Sequence, residues 1–512
     1  MIHFELIAPV GEILRRNAGL YPEKMAFEDK TRSVTYERLN AETENLASQL
    51  IALGLQKGQA VAVFLPNSVN WVVSCLAVVR AGGVAVPVSI ESTDSELSYR
   101  ITDANCVIVI SKSDKTKTVE AVLRALGRDT LLIVEGEKSD LPDFAELTQV
   151  SAATFVDDLD LDRPAYIVYT SGTTGQPKGV LLSTRSMLWV TAACWAPIAG
   201  LSDKDVVLNT LPLYHSYALN IAVLSIIATG ASEYIMEKFS TSHATELLRS
   251  GRFTFMPGVP TVFHYFLSAC QTSGERLLSS VRLCVSAGAI LPGTLNHDFE
   301  AFFGVPLLDG YGITETSTMV TMNWPGAWRV PGSCGLPLPG LTVRLLDPKT
   351  GADVPIGTEG ELVCKGPNLM QGYHNKPQET EKAIVDGWYR TGDLARSDIN
   401  GFLTITGRLK ELIIRGGQNI APAEVEETIL LDETVLDCAV ISMPHAMLGE
   451  VPVACIVLRS QGNFDEEALL RHCRERLSSY KVPDKIFVVE EIPRTGSGKI
   501  LRVKLRESLT VA

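Results

Sequence analysis

The sequence lacks the cysteine and histidine patterns that hold zinc or build a disulfide framework. Its ten cysteines are scattered through 512 residues without a Cys-x-x-Cys pair, and its eight histidines include no His-Glu-x-x-His spacing. Disulfide-rich folds and zinc sites of those kinds are therefore not expected. Unpaired cysteines are typical of a reducing compartment, so we expect a cytoplasmic protein.

Long hydrophobic runs and an excess of positive charge are also missing. The longest apolar stretch, residues 218–231, is interrupted by Asn220, Ser225 and Thr229 and is shorter than the ~20 residues that cross a bilayer. Residues 1–24 contain no long apolar segment, so we expect no signal peptide. The net charge of −13 argues against a nucleic-acid partner, because phosphate backbones require basic surfaces.

What is present is a long chain of ordinary globular composition, 46% hydrophobic and 21% charged. Its length exceeds the ~100–200 residues of one domain, which predicts at least two domains. Residues 10–54 have a helical pattern. Residues 60–111 alternate between short apolar strands and helices, which is typical of a parallel sheet covered on both faces.

The composition and the predicted secondary structure change twice in the second half of the chain. Beyond residue 330, glycine and proline become dense and the predicted strands are short, which indicates an antiparallel β subdomain at about 330–407. Residues 411–512 mix strands and helices in a compact α+β unit. We therefore predict an α/β fold: a large N-terminal domain, residues 1–407, with parallel sheets flanked by helices, then a small C-terminal domain joined through residues 408–410.

The most informative stretch is a polar loop between two apolar runs, residues 169–179. It reads Tyr-Thr-Ser-Gly-Thr-Thr-Gly-Gln-Pro-Lys-Gly. Glycines let backbone N–H groups approach an anion, hydroxyls donate to its oxygens and Lys178 adds a mobile charge, so a phosphate group is the expected ligand. The stretch is not a Walker A loop, because Lys178 follows Pro177 and precedes Gly179. Taken alone, such a loop is also consistent with a solvated hairpin turn.

A second candidate segment, residues 309–315, reads Asp-Gly-Tyr-Gly-Ile-Thr-Glu. Tyr311 stands between two glycines, which leaves its ring face free to stack on a purine. Thr314 can donate to a phosphate oxygen, and Glu315 can bind Mg²⁺, which prefers carboxylate and phosphate oxygens. Alone, a Gly-Tyr-Gly segment is usually just a turn.

Two later segments each carry one charged residue of interest. Residues 388–394 end with Gly-Asp-Leu and include Asp393, and residues 493–500 form a glycine-rich and serine-containing loop that includes Lys499. An aspartate in a turn commonly caps backbone N–H groups, and the loop before the last helix could be merely solvated.

Taken together, these four segments resemble the signature motifs of the adenylate-forming superfamily, which includes acyl-CoA synthetases, peptide-synthetase adenylation domains and firefly luciferase. They occur in the family's order and at similar separations across nearly the whole chain. Residues 215–220, His-Ser-Tyr-Ala-Leu-Asn, are similar to a segment of coumarate–CoA ligases. The resemblance implies an AMP-forming carboxylate–CoA ligase that converts an acid and ATP to acyl-AMP and pyrophosphate, then transfers the acyl group to coenzyme A. ATP, Mg²⁺ and coenzyme A are the implied cofactors.

The resemblance also implies roles for matching positions. Lys499 would bridge the substrate carboxylate and the α-phosphate, Asp393 and Arg408 would hold the ribose, and Glu315 would bind Mg²⁺. The implied catalytic residues are Lys499, Thr170, Lys178, Glu315 and His215. The implied ATP and AMP contacts are Thr170, Ser171, Gly172, Thr173, Thr174, Lys178, Ala287, Gly288, Ala289, Asp309, Gly310, Tyr311, Gly312, Thr314, Asp393, Arg408 and Lys499.

Members of this family move their C-terminal domain between two half-reactions. The resemblance places the hinge at Lys410, where many relatives carry aspartate and coumarate–CoA-ligase-like members also carry lysine. After rotation, Gly416 and Gly417 would line the route of the coenzyme A thiol.

The acyl pocket implied by the family pattern is uncharged. Its expected residues are His215, Tyr217, Asn220, Gly258, Ser286, Gly312 and Met319. The segments around them contain no Lys, Arg, Asp or Glu except Glu315, so the far end of the substrate is predicted to be uncharged. We expect a fatty or aromatic acid.

Other functions remain open at this point. A ligase that loads the phosphopantetheine of a carrier protein, a non-catalytic nucleotide-binding protein and a light-emitting oxygenase could share these motifs. The expected partners are a small-molecule carboxylic acid, ATP and coenzyme A, with no nucleic acid and no membrane span. The protein is expected to be a monomer or a homodimer.

Overall fold

A computed structural model describes residues 1–512 except 128, 137–140, 151–154, 171–175, 327, 417, 446, 460–463, 496–497 and 511–512. The α-helices in this part of the chain are α1 Val10–Leu20, α2 Tyr36–Ala52, α3 Val69–Arg80, α4 Asp94–Asp103, α5 Thr116–Leu126, α6 Phe144–Gln149, α7 Thr184–Val190, α8 Ser216–Leu219, α9 Ser225–Thr229, α10 Thr241–Leu248, α11 Pro260–Ser273, α12 Gly293–Phe303, α13 Pro377–Ala383, α14 Pro422–Leu430, α15 Glu466–Arg476 and α16 Arg502–Thr510.

The strands of the same residues are β1 Met25–Glu28, β2 Ser33–Thr35, β3 Ala60–Phe64, β4 Val84–Pro87, β5 Ile108–Lys112, β6 Leu131–Glu135, β7 Pro164–Thr170, β8 Lys178–Ser183, β9 Val206–Asn209, β10 Ser232–Ile235, β11 Phe255–Gly258, β12 Leu283–Ser286, β13 Leu307–Tyr311, β14 Thr321–Met322, β15 Leu336–Pro337, β16 Thr342–Leu346, β17 Gly360–Lys365, β18 Gly372–Tyr373, β19 Ile384–Val385, β20 Trp388–Ser397, β21 Leu403–Arg408, β22 Ile413–Arg415, β23 Gln418–Ile420, β24 Val435–His445, β25 Gly449–Leu458 and β26 Lys485–Val488.

Two large, mostly parallel sheets form the N-terminal part. The first has the order β15-β14-β13-β12-β11-β9-β10-β1-β2, and the second has the order β18-β8-β7-β4-β3-β5-β6. Strands β9 to β13 and β3 to β7 supply the parallel parts. Antiparallel strands lie at both edges of the first sheet and at the β18 edge of the second. Substrates of such sheets bind beyond the carboxyl ends of the strands. We therefore expect the functional site at the carboxyl ends of these parallel strands.

The core between the two sheets is organised around α3. Eleven of its residues are buried, and apolar residues on it belong to one cluster with β3 in the second sheet and β11 and β12 in the first. The Ser68 side chain accepts from the Trp71 N–H and caps the helix. A helix that is apolar on every side is stable only when it is buried, as here.

The remaining two sheets are antiparallel and smaller. β16, β17, β20 and β19 pair in that order, with β21 beside β20, and form the predicted β subdomain. β23, β22, β25 and β24 pair in that order, with β26 parallel to β25, and their residues pack with α14, α15 and α16 around separate apolar clusters. The predicted α/β class with parallel sheets, a β subdomain and a small C-terminal α+β unit is confirmed. The limits of the domains stay predictions.

The helical interpretation of residues 10–54 was wrong in its middle. Between α1 and α2 the chain forms β1 and β2, and β1 joins the edge of the first large sheet, where Phe27 lies opposite Glu233. The partner strand is about two hundred residues away in the chain, so no local periodicity could indicate it. Two π-helical segments, Thr191–Trp195 and Asn220–Leu224, directly follow α7 and α8.

All ten cysteines are free and buried. Among the described residues, no helix combines the length and the apolar character that crossing a bilayer requires.

Candidate active site

A cleft of about 1120 Å³ lies where the large sheets, the β subdomain and the C-terminal unit meet. A pocket for one small molecule measures ~300–1,000 Å³, so this cleft has room for a nucleotide and a second substrate. The predicted site residues that line it are Thr170, Lys178, His215, Tyr217, Ala287, Gly288, Ala289, Asp309, Gly310, Tyr311, Gly312, Thr314, Glu315, Asp393, Arg408, Lys410 and Lys499. Residues far apart in the sequence thus converge on one space.

The polar loop lies between two antiparallel strands. Thr170 is the last residue of β7 and Lys178 the first of β8, and the two are directly paired. The flanking strands therefore have the arrangement predicted from the apolar runs. Ser171, Gly172, Thr173 and Thr174 lie outside the described residues.

Asp393 lies on a strand rather than in a turn. The pairing of β20 with β21 sets Asp393 opposite Arg408, whose Nε is 2.7 Å from Oδ1, and the Tyr311 hydroxyl donates to Oδ2 at 2.5 Å. The carboxylate is held from both sides and is almost fully buried. Each of its oxygens keeps a lone pair for another donor, which is what two neighbouring ribose hydroxyls require.

The glycines on either side of Tyr311 are required by packing. A Cβ at Gly312 would lie 1.4 Å from the Thr318 carbonyl oxygen, and a Cβ at Gly310 would lie 2.4 Å from Met319 Cε. Burial, followed by the negative charge of Asp393, raises the pKa of the Tyr311 hydroxyl, so it remains a donor at neutral pH. The Tyr311 position is therefore fixed by backbone contacts as well as by its hydrogen bond.

Glu315 lies in the 3-10 turn Thr314–Thr316. Burial raises the pKa of its carboxyl group, against the opposing effects of the Tyr373 hydroxyl, which donates at 3.0 Å, and of Arg408. A partly buried carboxylate beside the expected phosphate site fits Mg²⁺, which typically takes one or two protein carboxylates and completes its shell with substrate phosphates and water. The described residues contain no cluster of three or more potential metal ligands.

Lys178 is contacted by residues that the sequence reasoning did not include. Its Nζ lies 2.7 Å from Glu379 Oε2 on α13 and 4.8 Å from the centre of the Tyr373 ring. The Tyr373 hydroxyl is also 3.4 Å from the Tyr389 hydroxyl. Tyr373 lies on β18, which pairs with β8 across nearly two hundred residues of chain, so no sequence motif marked this contact.

Lys499 enters the cleft from a loop of the C-terminal unit. The Thr495 N–H donates to the Lys499 carbonyl at 2.8 Å, and Gly498 adopts a φ of 81°, a conformation that favours glycine. A Cβ at Gly498 would lie 3.2 Å from Val259 Cγ2, so this loop packs directly against the segment that precedes α11.

The charges around Lys499 come from both parts of the chain. Burial lowers the pKa of Lys499 and the neighbouring Arg408 lowers it further, whereas Glu411, Asp393 and Glu315 raise it. Lys499, Asp393 and Glu315 line the same cleft.

His215 and Tyr217 occupy one wall of the cleft. Burial lowers the pKa of His215 to about 4, with a smaller contribution from Arg100, so its ring is neutral at pH 7. Its Nε2 has no hydrogen-bond partner among the described residues. The Tyr217 hydroxyl donates to the Val285 carbonyl at 3.3 Å.

Four residues expected in the acyl pocket lie behind the lining residues: Asn220, Gly258, Ser286 and Met319. Asn220 is in a π-helical segment that turns its amide into the core. There it accepts from Trp195 Nε1 at 2.6 Å and donates to the Met187 carbonyl at 2.7 Å. A side chain with both ends bonded in this way supports the wall from behind.

The cleft also extends along α11 towards the C-terminal unit. Its lining there includes His264, Gln271, Arg459 and Arg494. Arg494 Nη2 lies 2.7 Å from an oxygen of Asp437. These residues come from two separate domains and share no motif, which is why the sequence reasoning did not find them.

The predicted hinge residue and the predicted thiol-route residue lie in different turns. Lys410 lies in the turn after β21, and the next residue, Glu411, has Oε2 3.2 Å from Arg502 Nε. Gly416 lies in the turn between β22 and β23, outside the lining of the cleft, and donates its N–H to Leu448 at 2.7 Å. Gly417 is not among the described residues.

Lys178, Lys499, Asp393 and Glu315 line one cleft between the large and the small part of the chain. Two lysines beside two carboxylates suit a protein that binds an anionic ligand such as a nucleoside phosphate. Comparison with known proteins identifies the family. The family model "AMP-binding enzyme" matches residues 14–374, and the model "AMP-binding enzyme C-terminal domain" matches residues 424–499. The chain belongs to the AMP-binding enzyme family.

Several relatives of the chain are CoA ligases. It is 32% identical to a long-chain-fatty-acid–CoA ligase of Bacillus subtilis (strain 168), covering 97% of this chain and 94% of that one. It is 34% identical to a sulfoacetate–CoA ligase of Cupriavidus necator, covering 98% of both. A crystal structure of the anthranilate CoA ligase AuaEII with anthranoyl-AMP matches with a TM-score of 0.92 at 26% identity, covering 99% of this chain and 98% of that one.

These matches confirm the family predicted from the four motifs. They also confirm the predicted general activity, AMP-forming ligation of an acid to a thiol, with ATP and coenzyme A as reactants. The individual roles of the site residues stay predictions.

Proposed function

We propose that the protein joins a fatty or aromatic carboxylic acid to coenzyme A through an acyl-AMP. In the first step a carboxylate oxygen attacks the α-phosphorus of ATP, and the bond to the β-phosphate breaks to release pyrophosphate. In the second step the thiol sulfur attacks the acyl carbon, AMP leaves, and the thiol proton passes to solvent. The acid needs no base, since its pKa near ~4 leaves it ionised at pH 7.

One observation carries the proposal: Lys499 lines the same cleft as Lys178, Asp393, Arg408 and Glu315. In the proposed first step Lys499 lies between two anions, the substrate carboxylate and the α-phosphate. A cation placed there lowers the barrier most, because negative charge is most concentrated as they meet.

The other residues hold the nucleotide in line for this attack. Asp393 and Arg408 would bind the ribose, with Tyr311 beside the base. Thr170 and Lys178 would hold the β- and γ-phosphates. Mg²⁺ on Glu315 would supply neutralising charge to the phosphates. Catalysis is then mainly alignment and charge compensation.

For the second step we propose a rotation of residues 411–512 about Lys410. Glu411 is bonded to Arg502 of the C-terminal unit, so the segment just beyond the hinge is tied to the moving part. The turn that contains Gly416 lies outside the cleft, and rotation would bring it to the thiol's route.

The proposed acid is uncharged at its far end. His215 is neutral at pH 7, and apolar residues such as Val259 and Ile313 line the cleft with it. The free, buried cysteines also support a proposed cytoplasmic location.

A pyrophosphate-release screen tests these proposals. The purified protein is incubated with ATP, Mg²⁺ and a panel containing octanoate, palmitate, benzoate, coumarate and sulfoacetate, with and without coenzyme A. We expect release with an uncharged-tail acid and a CoA thioester by mass spectrometry. Preference for sulfoacetate would overturn the substrate class. Thioester formation only with a phosphopantetheinylated carrier protein would overturn coenzyme A as acceptor, and no release with any acid would favour a non-catalytic protein.

A further inference from the structure

The cation of the phosphate loop is paired with a carboxylate that the reaction scheme does not use. Lys178 Nζ and Glu379 Oε2 are 2.7 Å apart, and both side chains line the cleft. The hydrogen bond from Lys178 lowers the pKa of Glu379, so Glu379 is charged at neutral pH. A carboxylate at this position repels a triphosphate and competes with it for the same ammonium group.

We propose that Glu379 is the exchange partner of Lys178: it gives up the lysine when ATP binds and takes it back when pyrophosphate leaves. This inference rests on the proposed contact between Lys178 and the β- and γ-phosphates. It assigns to Glu379 a positioning role that limits how tightly the polyphosphate is held.

The surroundings of the pair suit such an exchange. Its side chains are 16% and 40% exposed, and partly exposed ion pairs are weak enough for a multiply charged phosphate to displace. Glu379 Oε1 also lies 3.6 Å from Lys382 Nζ, so a second cation remains near the carboxylate when Lys178 moves to the phosphate. The Tyr373 ring lies under the lysine and keeps it close to both partners.

The exchange matters most for product release. If Lys178 had no carboxylate partner, the departure of pyrophosphate would leave a partly buried cation without a counter-ion, which is unfavourable. With Glu379 in place, the ion pair re-forms as the product leaves. Glu379 therefore weakens ATP and pyrophosphate binding alike and speeds the departure of pyrophosphate.

Calorimetric titration of Glu379→Gln with ATP, pyrophosphate and AMP, without acid, tests the proposal. We expect Kd for ATP and for pyrophosphate to fall by about fivefold, the effect of one partly exposed ion pair. The Kd for AMP should be unchanged, because AMP has no β-phosphate, and this also reports that the variant is folded. Glu381→Gln, which removes the same charge from an exposed position of α13, should change none of the three constants.

A second variant separates failure of this inference from failure of the proposed function. Lys178→Met should weaken ATP and pyrophosphate binding, and Glu379→Gln should have a smaller effect in the double variant, because only the direct repulsion between Glu379 and the phosphates then remains. If Lys178→Met weakens binding but Glu379→Gln leaves it unchanged or weakens it, the exchange role is overturned while the phosphate role of Lys178 stands. If Lys178→Met leaves ATP and pyrophosphate binding unchanged, both are overturned.

Discussion

Replacement of Lys499 by alanine is the sharpest test of the reaction scheme. The ammonium group belongs to a residue of the C-terminal unit that lines the cleft together with Arg408, Asp393 and Glu315. For a partly screened site the interaction of two unit charges about 4 Å apart is about 4 kcal/mol. Loss of a contact of that size in the transition state slows the step by about 10³-fold.

Measuring the two half-reactions separately distinguishes loss of this charge from a general loss of folded, active protein. Lys499→Ala should lose acyl-AMP formation, measured as pyrophosphate release in a single turnover. It should retain thioester formation from chemically prepared acyl-AMP and coenzyme A, because in the proposed scheme that step follows rotation of the C-terminal unit. Lys504→Ala, an exposed lysine on α16, is the matched control and should affect neither half. Equal loss of both halves in Lys499→Ala would refute the assigned role.

The pH profile gives a second, independent readout. Burial and Arg408 lower the pKa of Lys499 below that of a free lysine. The required form is the cation, so adenylation should be complete below this pKa and decline as the pH rises through it. Lys499→Arg keeps its charge to higher pH, and any activity it retains should lack the alkaline decline. A decline at the same pH in Lys499→Arg would mean that another group titrates.

Three further changes test the hinge, the core and the nucleotide wall. Lys410→Pro, which fixes the backbone at the turn after β21, should slow one half-reaction and spare the other; unchanged overall turnover would count against a hinge there. Arg80→Met should lower the free energy of unfolding by about 1–3 kcal/mol in urea denaturation, because it removes the guanidinium 2.6 Å from the buried Asp157 carboxylate while Arg15 still pairs with that carboxylate; a change under about 0.5 kcal/mol would contradict this. Gly312→Ala should abolish AMP binding by calorimetry, since its Cβ would collide with the Thr318 carbonyl; normal affinity would show that the backbone can move aside.

Much of the site was predictable because many of its functional groups belong to short, contiguous sequence motifs. Four sequence motifs indicated a nucleotide site: residues 169–179, 309–315, 388–394 and 493–500. In the structure, residues from all four motifs line one cleft. The alternation of apolar strands and helices in residues 60–111 indicated the parallel sheet that was found. Such patterns reflect local geometry, so they can be read without knowing the rest of the fold.

Other features depend on pairings between distant parts of the chain. Asp393 looked like a turn residue, yet the register of β20 with β21 makes it the partner of Arg408 on a strand. Asn220 matched a pocket motif, yet its π-helical segment directs it into the core.

The sequence by itself determined the family, the α/β class and the residue types expected to bind a nucleotide. Glycines, hydroxyls, lysines and carboxylates have the same hydrogen-bonding and charge properties wherever they lie in the fold. Only the tertiary structure decided which charges face each other. Lys178 meets Glu379 because β18, which pairs with β8, packs against α13. Lys499 and Arg408 line one cleft because a loop of the small domain packs on the large one. Electrostatic interactions act through distances in space, and the sequence records only distances along the chain.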